Sequence, residues 1–552
     1  ASDIRIRGIS TNGDNRPFIL VDGNVIEDLS VVNPGDIANI TVLKDATAAI
    51  YGVRAANGVI LITTKTGRKN SELKFDYNSY IGFQQTSRKI PVLNATEYAL
   101  ISNEAAVANG EPIIYDNVTG FGQGTDWQDE VFEIAPVQSH NLGVSGGSEK
   151  ATYSFGASLL NQDGIVGGNK SNFTRYTTRM NLGIDILENL TAKANLIYTG
   201  TRRKSLSESG LGSVLFNALN FRPTVPVRDA TGAYSSSVDH PIEVVNPLKQ
   251  IDNTFNNTRV NKISGVFGLR YDFLENFSVE SNYQWNYAEV DTRNFNPIVT
   301  YGNNSVFDNA SNVQLVEGNQ FFRDYTFDAI INYEKSINDT HNIKATIGTS
   351  VFKTTGDFYL AIGDGLPESS TFSSAEMSDA ANVTDPYANI SNRFFDTRLL
   401  SYFGRAQYDF KGKYLFSGLI RRDGSTAFGP ENKFGWFYAA SVGWVVSDES
   451  FLENSEAISF LKIRASTGKI GNDRIPAFGY VSLLSGEGEY VFDDTINFGT
   501  AIGPISNPEI QWEEQFTTDI GLDMTLFNNI FILICTHSIE CCFWIFFHNF
   551  IN

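Results

Sequence analysis

The sequence predicts a mainly β protein, an antiparallel sheet of transmembrane-barrel type that follows a small α/β domain. Three observations predict it. Residues 36–65 read as strand, short helix, turn and buried strand. From Leu73 onward, long segments alternate apolar and polar side chains, the pattern of a strand with one apolar and one wet face. The connectors between those segments are by turns short and long, as barrel turns and loops are.

The N-terminal domain can be justified element by element. Phe18 to Gly23 is a strand that runs into a turn, and Asn33-Pro34-Gly35-Asp36 is a turn or helix start. Ile40, Val42 and Leu43 make a β-prone run. Asp45 stands where a helix cap belongs, and Ala46 to Tyr51 can form a helical turn or two. Gly52 can end it, because glycine accepts the left-handed backbone of a helix C-terminus. Asn57-Gly58 is a tight-turn pair, and Val59 to Thr64 is a second, mostly apolar strand. Thr66 to Ser71 is polar and basic, a linker. The predicted boundaries are 1–69 for this domain, 70–529 for the barrel and 530–552 for an aberrant tail.

Fourteen strands are predicted after the linker, near residues 73–83, 138–147, 151–161, 173–186, 190–203, 259–273, 276–295, 313–334, 341–359, 393–411, 413–423, 434–447, 461–469 and 515–527. In one of them Tyr176, Met180, Leu182 and Ile184 face one way, and Arg175, Arg179, Asn181 and Asp185 the other. In another, Ile263, Phe267, Leu269, Tyr271 and Phe273 oppose Ser264, Arg270 and Asp272. Periodicity alone does not separate a soluble sandwich, whose apolar face is its core, from a barrel, whose apolar face meets lipid. Many of the strands exceed the roughly five or six residues usual in globular sheets. That length and the long Gly/Asn/Ser/Asp-rich connectors favour the barrel. The short turns at 187–189 and 274–276 read as periplasmic, and the segments 204–258, 360–392 and 470–514 as extracellular loops. No apolar run reaches the roughly eighteen residues of a transmembrane helix before Leu526.

Composition narrows the function classes. Of 552 residues, 13% are aromatic, with 41 Phe and 23 Tyr, and tyrosine suits a membrane interface. The net charge of −20 argues against a nucleic-acid partner, which needs Lys and Arg to neutralise phosphates. The only cysteines are Cys535, Cys541 and Cys542, and the five histidines are scattered, so neither a disulfide framework nor a metal or cofactor site is expected. Gly120 to Gly124 lacks the flanking strand and Lys-Ser/Thr of a phosphate loop. Asp129-Glu130 reads as a solvated pair. Asp22, Asp28 and Asp36 read as turn residues that accept backbone hydrogen bonds. Nothing requires an enzyme.

Several motifs together resemble one family. Ile4-Arg5-Ile6-Arg7-Gly8, Val42-Leu43-Lys44-Asp45-Ala46, Ala49-Ile50-Tyr51-Gly52 and Arg54 to Lys65 resemble the plug domain of TonB-dependent outer-membrane transporters of the SusC/RagA branch. So do Asp126-Trp127-Gln128-Asp129-Glu130-Val131-Phe132, Ser145-Gly146-Gly147-Ser148, Arg422-Asp423-Gly424-Ser425 and Leu461-Lys462-Ile463-Arg464 farther along. The resemblance implies outer-membrane import of oligosaccharides or peptides, a SusD-like lipoprotein capping the barrel, and energy from the TonB–ExbB–ExbD complex. It also implies plug cations paired with barrel carboxylates, which marks Arg7, Lys44 and Arg54 as plug–barrel contact candidates. A siderophore or cobalamin receptor is the alternative within transport, and a secreted β-rich adhesin the alternative outside it.

The resemblance also sets expectations for the two ends. The opening Ile-Arg-Gly motif lies well inside the family's plug, so a signal peptide and TonB box are expected before it. About fourteen strands stand against the family's 22, so an incomplete barrel is expected. The tail from Ile530 holds every cysteine, has no Lys or Arg and shows no clear alternation. It reads as frameshifted, and is expected to fit badly or to improvise a last strand.

Overall fold

The computed structural model describes all residues except 1–3, 7–13, 28, 30–31, 45, 207–209, 237–243, 303–309, 386–393, 453–454, 456, 476–478, 483, 493–494, 503–505, 528–529 and 544–552. The helix cap expected at Asp45 and the turn at Asp28 lie outside the described residues.

Four strands build the plug sheet: β1 (Phe18–Val21), β2 (Asn24–Ile26), β3 (Ile37–Leu43) and β4 (Val59–Thr64), in the order β2-β1-β4-β3. Asp22 and Gly23 join β1 to β2 at φ of 50° and 92°. Positive φ at both central residues gives the two-residue turn whose twist suits a hairpin. β4 runs parallel to β1 and antiparallel to β3. It is flanked on both sides and covered on both faces, which is why its side chains are apolar in succession. Ile19, Val21, Ile60 and Ile62 pack on one face of this sheet, and Phe18, Leu20 and Val59 on the other. The expected helical turn is a tight 3-10 segment, Ala46–Tyr51, followed by Val53–Ala55. Gly52 separates them at φ 92°.

The large sheet begins with β5 (Ser71–Gln84), β6 (Ala135–Gly147), β7 (Ala151–Gly164), β8 (Gly168–Leu187) and β9 (Leu190–Ser205). It continues through β10 (Phe255–Leu274), β11 (Phe277–Asn296), β12 (Val313–Ile337) and β13 (His341–Leu366), with the short β14 (Asn382–Thr384) beside β13. Then come β15 (Phe394–Phe410), β16 (Tyr414–Ser425), β17 (Phe434–Val445) and β18 (Ile458–Asn472). A separate hairpin, β19 (Leu484–Phe492) with β20 (Thr495–Ile502), occupies the next connector. The sheet resumes with β21 (Glu513–Leu526) and β22 (Phe531–Phe543). All fourteen predicted strands are present in the predicted order. β14, β19, β20 and β22 are additional to them.

The faces decide between sandwich and barrel. On β10, Phe267, Leu269 and Tyr271 are exposed, while Ser264 is buried at 7%. On β11, Tyr283 is exposed, while Gln284 and Asn286 are buried at 8% and 5%. Apolar residues point away from the plug and polar residues toward it, the arrangement of a barrel in lipid. Among the described residues β5 and β22 do not pair with each other, so the sheet surrounds the plug without closing.

The tail takes the second of its two expected outcomes. Residues 531–543 pair with β21 along its length, Phe531 opposite Leu526 and Phe543 opposite Glu514. Backbone pairing does not require an alternating sequence. The register puts Thr536 beside Arg464, whose Nη2 donates to its hydroxyl at 2.7 Å.

Two long connectors fold together rather than as open loops. Helices α1 (Ala95–Ala108) and α2 (Trp127–Val131) lie between β5 and β6. Helices α3 (Val214–Asn220) and α4 (Pro247–Asp252) lie between β9 and β10. Trp127 and Val131 from the first connector pack with Val214, Ala218, Phe221 and Ile251 from the second. The Trp127 indole donates to Arg222 O at 3.0 Å. Gly124, in the glycine-rich stretch, sits at φ +69°, and a Cβ there would lie 2.3 Å from Pro223 O.

Candidate functional site

The site is the seam between plug and barrel wall. A barrel interior of polar side chains needs partners for every buried donor and acceptor, and the plug supplies them where its turns and strand ends reach the wall. Asp36, in the 3-10 turn that Asn33 caps, pairs with Arg179 of β8 at 3.2 Å. Arg179 Nη1 also donates to Lys65 O at 2.5 Å and Ser154 Oγ at 3.2 Å. Two residues along β8, Asn181 donates to Thr64 Oγ1 at 2.8 Å and to Lys65 O at 3.1 Å. Asn195 of β9 donates to Asp22 Oδ2 at 2.7 Å. Asp22 also accepts from the Thr64 N–H at 2.8 Å and hydroxyl at 2.6 Å. Its turn role is therefore as expected, with a barrel contact added.

The other wall meets the plug through amide and guanidinium groups, without, among the described residues, a buried ion pair like that of Asp36 and Arg179. Asn286 of β11 and Asn24 of β2 exchange amide hydrogen bonds, 3.1 Å each way. Asn286 also donates to Val25 O at 3.1 Å and Asp324 Oδ1 at 2.7 Å. Arg421 of β16 is fixed by Asp423 at 2.7 Å and donates to Ile50 O at 3.0 Å. A Cβ on Gly52 would come within 2.7 Å of that guanidinium, so Gly52 gives room as well as its turn.

At the long-loop end, Arg474 donates to Asp14 O at 3.2 Å and Arg16 O at 3.0 Å, and pairs with the Asp14 carboxylate at 3.2 Å. The hydrogen bond from Arg16 is the largest of the effects that hold the Asp14 carboxyl down at about 2. Burial pushes the Asp473 carboxyl up, against the pull of Arg54.

The three predicted contact residues are not brought together. Arg7 lies outside the described residues. Lys44 is exposed and makes no ion pair among the described residues. Arg54 does reach the wall, but it meets rings: its guanidinium lies 5.0 Å from the Phe18 centroid and 4.5 Å from that of Phe352 on β13. Burial lowers its basicity, with Asp473, Glu27 and Asp324 opposing. The buried plug–barrel ion pair at β8 has the opposite polarity to the one the resemblance implied, with a plug carboxylate and a barrel arginine. The alternation of β8 already set Arg179 and Asn181 on the polar face. What it did not carry was their partner, 143 residues away in the case of Arg179.

Comparison with known proteins agrees with this architecture. Residues 1–59 match the family described as TonB-dependent Receptor Plug Domain, and residues 197–533 match TonB dependent receptor-like, beta-barrel. The chain is 30% identical over 96% of its length to TonB-dependent receptor P26 of Formosa agariphila. It is 29% identical over 96% of its length to TonB-dependent receptor SusC of Bacteroides thetaiotaomicron, and spans 53% of each of these relatives. The fold superposes on the RagAB peptide transporter with a TM-score of 0.83 at 22% identity, covering 98% of this chain and 63% of that one. For the siderophore receptor PirA of Acinetobacter baumannii the TM-score is 0.51 at 12% identity, covering 94% and 64%. The barrel match alone takes in more than half of the sequence, and the chain belongs to the TonB-dependent receptors.

Proposed function

We propose that this chain forms the plug and part of the barrel of an outer-membrane importer for oligosaccharides or peptides. It acts with a SusD-like lipoprotein on the outer side and with the TonB–ExbB–ExbD complex on the inner side. It does no covalent chemistry; its work is binding and gated passage. The observation that carries this reading is the plug itself. A separately folded domain sits inside a sheet whose polar face it occupies and whose apolar face is exposed. A sheet of that kind suits a bilayer, and a domain held in it by reversible polar contacts suits a stopper. The closer superposition on the peptide transporter than on the siderophore receptor favours the SusC/RagA branch over the siderophore alternative.

Uptake tests it. Deleting residues 36–65 from the complete transporter should leave the barrel inserted in the outer membrane and abolish energy-dependent uptake. Loss of TonB, or of the adjacent lipoprotein, should abolish uptake of the same oligosaccharide or peptide. Uptake that survives all three changes would refute the proposal.

A further inference from the structure

Three cavities lie in a row along the barrel wall, with volumes of about 520, 560 and 550 Å³; plug and barrel residues together line the first two, and barrel residues line the third. Their order follows from β13, which runs from His341 at the short-turn end to Leu366 at the long-loop end. Its inward residues line them in sequence. Thr354 faces the outer cavity, Ser350 and Thr346 the middle one, and Lys344 and Asn342 the inner one. Those inward positions span about 40 Å along the strand at the usual rise, or about 30 Å along the barrel axis at the usual strand tilt, close to the hydrocarbon thickness of a bilayer.

Two arginines stand at the divisions. The outer and middle cavities share Phe18, Val25, Arg54, Phe352 and Leu399. Arg54 is the one long polar side chain among these. It reaches from the plug to the wall, between Phe18 on one side and Phe352 on the other. The middle and inner cavities share Arg405 of β15, whose Nε donates to Ser417 Oγ at 3.3 Å. A void of about 10 Å³ lies between Ile50, Arg405, Ser417 and Ser441, room for about one water.

We propose that this row is the path by which a ligand passes the plug, and that Arg54 and Arg405 are its two gates. The proposal rests on the transport reading above. A guanidinium seated on two aromatic faces is held by a weak attraction that needs no fixed partner. Arg54 attracts Asp473, Glu27 and Asp324 only at a distance and forms no ion pair with them among the described residues. Swinging aside therefore breaks no direct contact with a carboxylate, unlike the departure of Arg179, which would strand Asp36. The path thus runs along the wall opposite the Asp36–Arg179 ion pair.

Conductance of the complete transporter in planar bilayers tests the outer gate without ligand or energy source, so a failed gate would leave the uptake result standing. Arg54→Ala should raise conductance several-fold over the wild type, while Arg54→Lys, which keeps a cation over the rings, should stay near it. Arg54→Cys should also conduct, and a bulky thiol reagent should close it again. The same reagent applied to the wild-type transporter is the control, and should leave its conductance unchanged. Protease protection of the plug should match the wild type in each variant. Wild-type conductance from Arg54→Ala with the plug seated would overturn the proposal. So would an Arg54→Cys leak that the reagent does not block. Release of the plug by Arg54→Ala would overturn it too, by making Arg54 an anchor instead of a gate.

Discussion

The plug meets two walls in different ways. Against β8 and β9 it is held by directional polar groups: Asp36 on Arg179, Thr64 on Asn181, Asp22 on Asn195. Against β13 and β15 to β18 apolar packing is joined by the hydrogen bond from Arg421 to Ile50 O, and cavities set the plug off from the wall. Val53 packs with Leu399, Phe428 and Phe437, and Ala49 with Leu419 and Ala439. The difference is one of reversibility. A buried ion pair resists partial opening because each charge loses its partner at once. Apolar contacts yield gradually with the area exposed. One wall can therefore act as the fixed side while the other admits movement.

The largest expected effect is on the fixed wall. Arg179→Ala leaves Asp36 buried without its partner and should destabilise the seated plug by about 3–5 kcal/mol. Replacing both residues with apolar ones of similar volume should cost much less. Denaturant-dependent protease release of the plug measures both, and equal losses in the single and double variants would erase the contrast between the walls. Next comes the outer surface. Leu269→Arg should destabilise the complete barrel by about 2–4 kcal/mol if Leu269 sits near the bilayer midplane, and by about 0–1 kcal/mol near an interface. Unfolding in lipid bilayers reads this directly, and an unchanged midpoint would contradict the outward assignment of β10.

A smaller effect is expected at Asn286, where the plug touches β11. Asn286→Ala removes a partner of Asn24, Val25 and Asp324 and should cost about 1–3 kcal/mol. A loss as large as that of Arg179→Ala would show that polar anchoring is spread evenly around the barrel. The smallest effect concerns Asp14, held down chiefly by its hydrogen bonds with Arg16 and less by the charge of Arg474. The Asp14 pKa is lower in the folded chain than its ordinary value of 3.8, at about 2. Its contribution is therefore fully present above pH 3.8 and is lost as the pH falls through about 2. Asp14→Asn should flatten only that part of the acid unfolding curve. A difference confined to neutral pH would contradict the assignment.

The sequence made the barrel strands legible because each carries its own evidence. In β10 aromatic and aliphatic residues recur at alternate positions from Ile263 to Phe273 apart from Gly265, and in β11 from Phe277 to Tyr287 apart from Ser281, and the observed faces follow that count. β14 is too short for a period to show. β19 and β20 are broken by Gly486, Gly488 and Gly499. β22 lacks a clear period and is placed by pairing with β21. The plug strands were legible for a different reason, namely turn chemistry at Asp22-Gly23 and Asn57-Gly58. The site was less so. Period two names the polar face of β8, but not the plug residue that meets it, since that depends on how far the sheet has curved before Arg179 comes round to Asp36. The same limit explains why attention to plug cations passed over Asp36.

The welded connectors have a consequence for how such a protein can change. Trp127 and Val131 come from one insertion and Val214, Ala218, Phe221 and Ile251 from another, yet they share one apolar core. Neither insertion is an independent module. A graft that swaps the segment between β9 and β10 for a foreign one would strip the cover from Trp127 and take away the carbonyls that Trp127 and Thr125 donate to. Variation in the mouth of this barrel is therefore expected to proceed by exchanging the two segments together, or by altering residues outside their common core, and libraries built for new ligands should treat them as a single cassette.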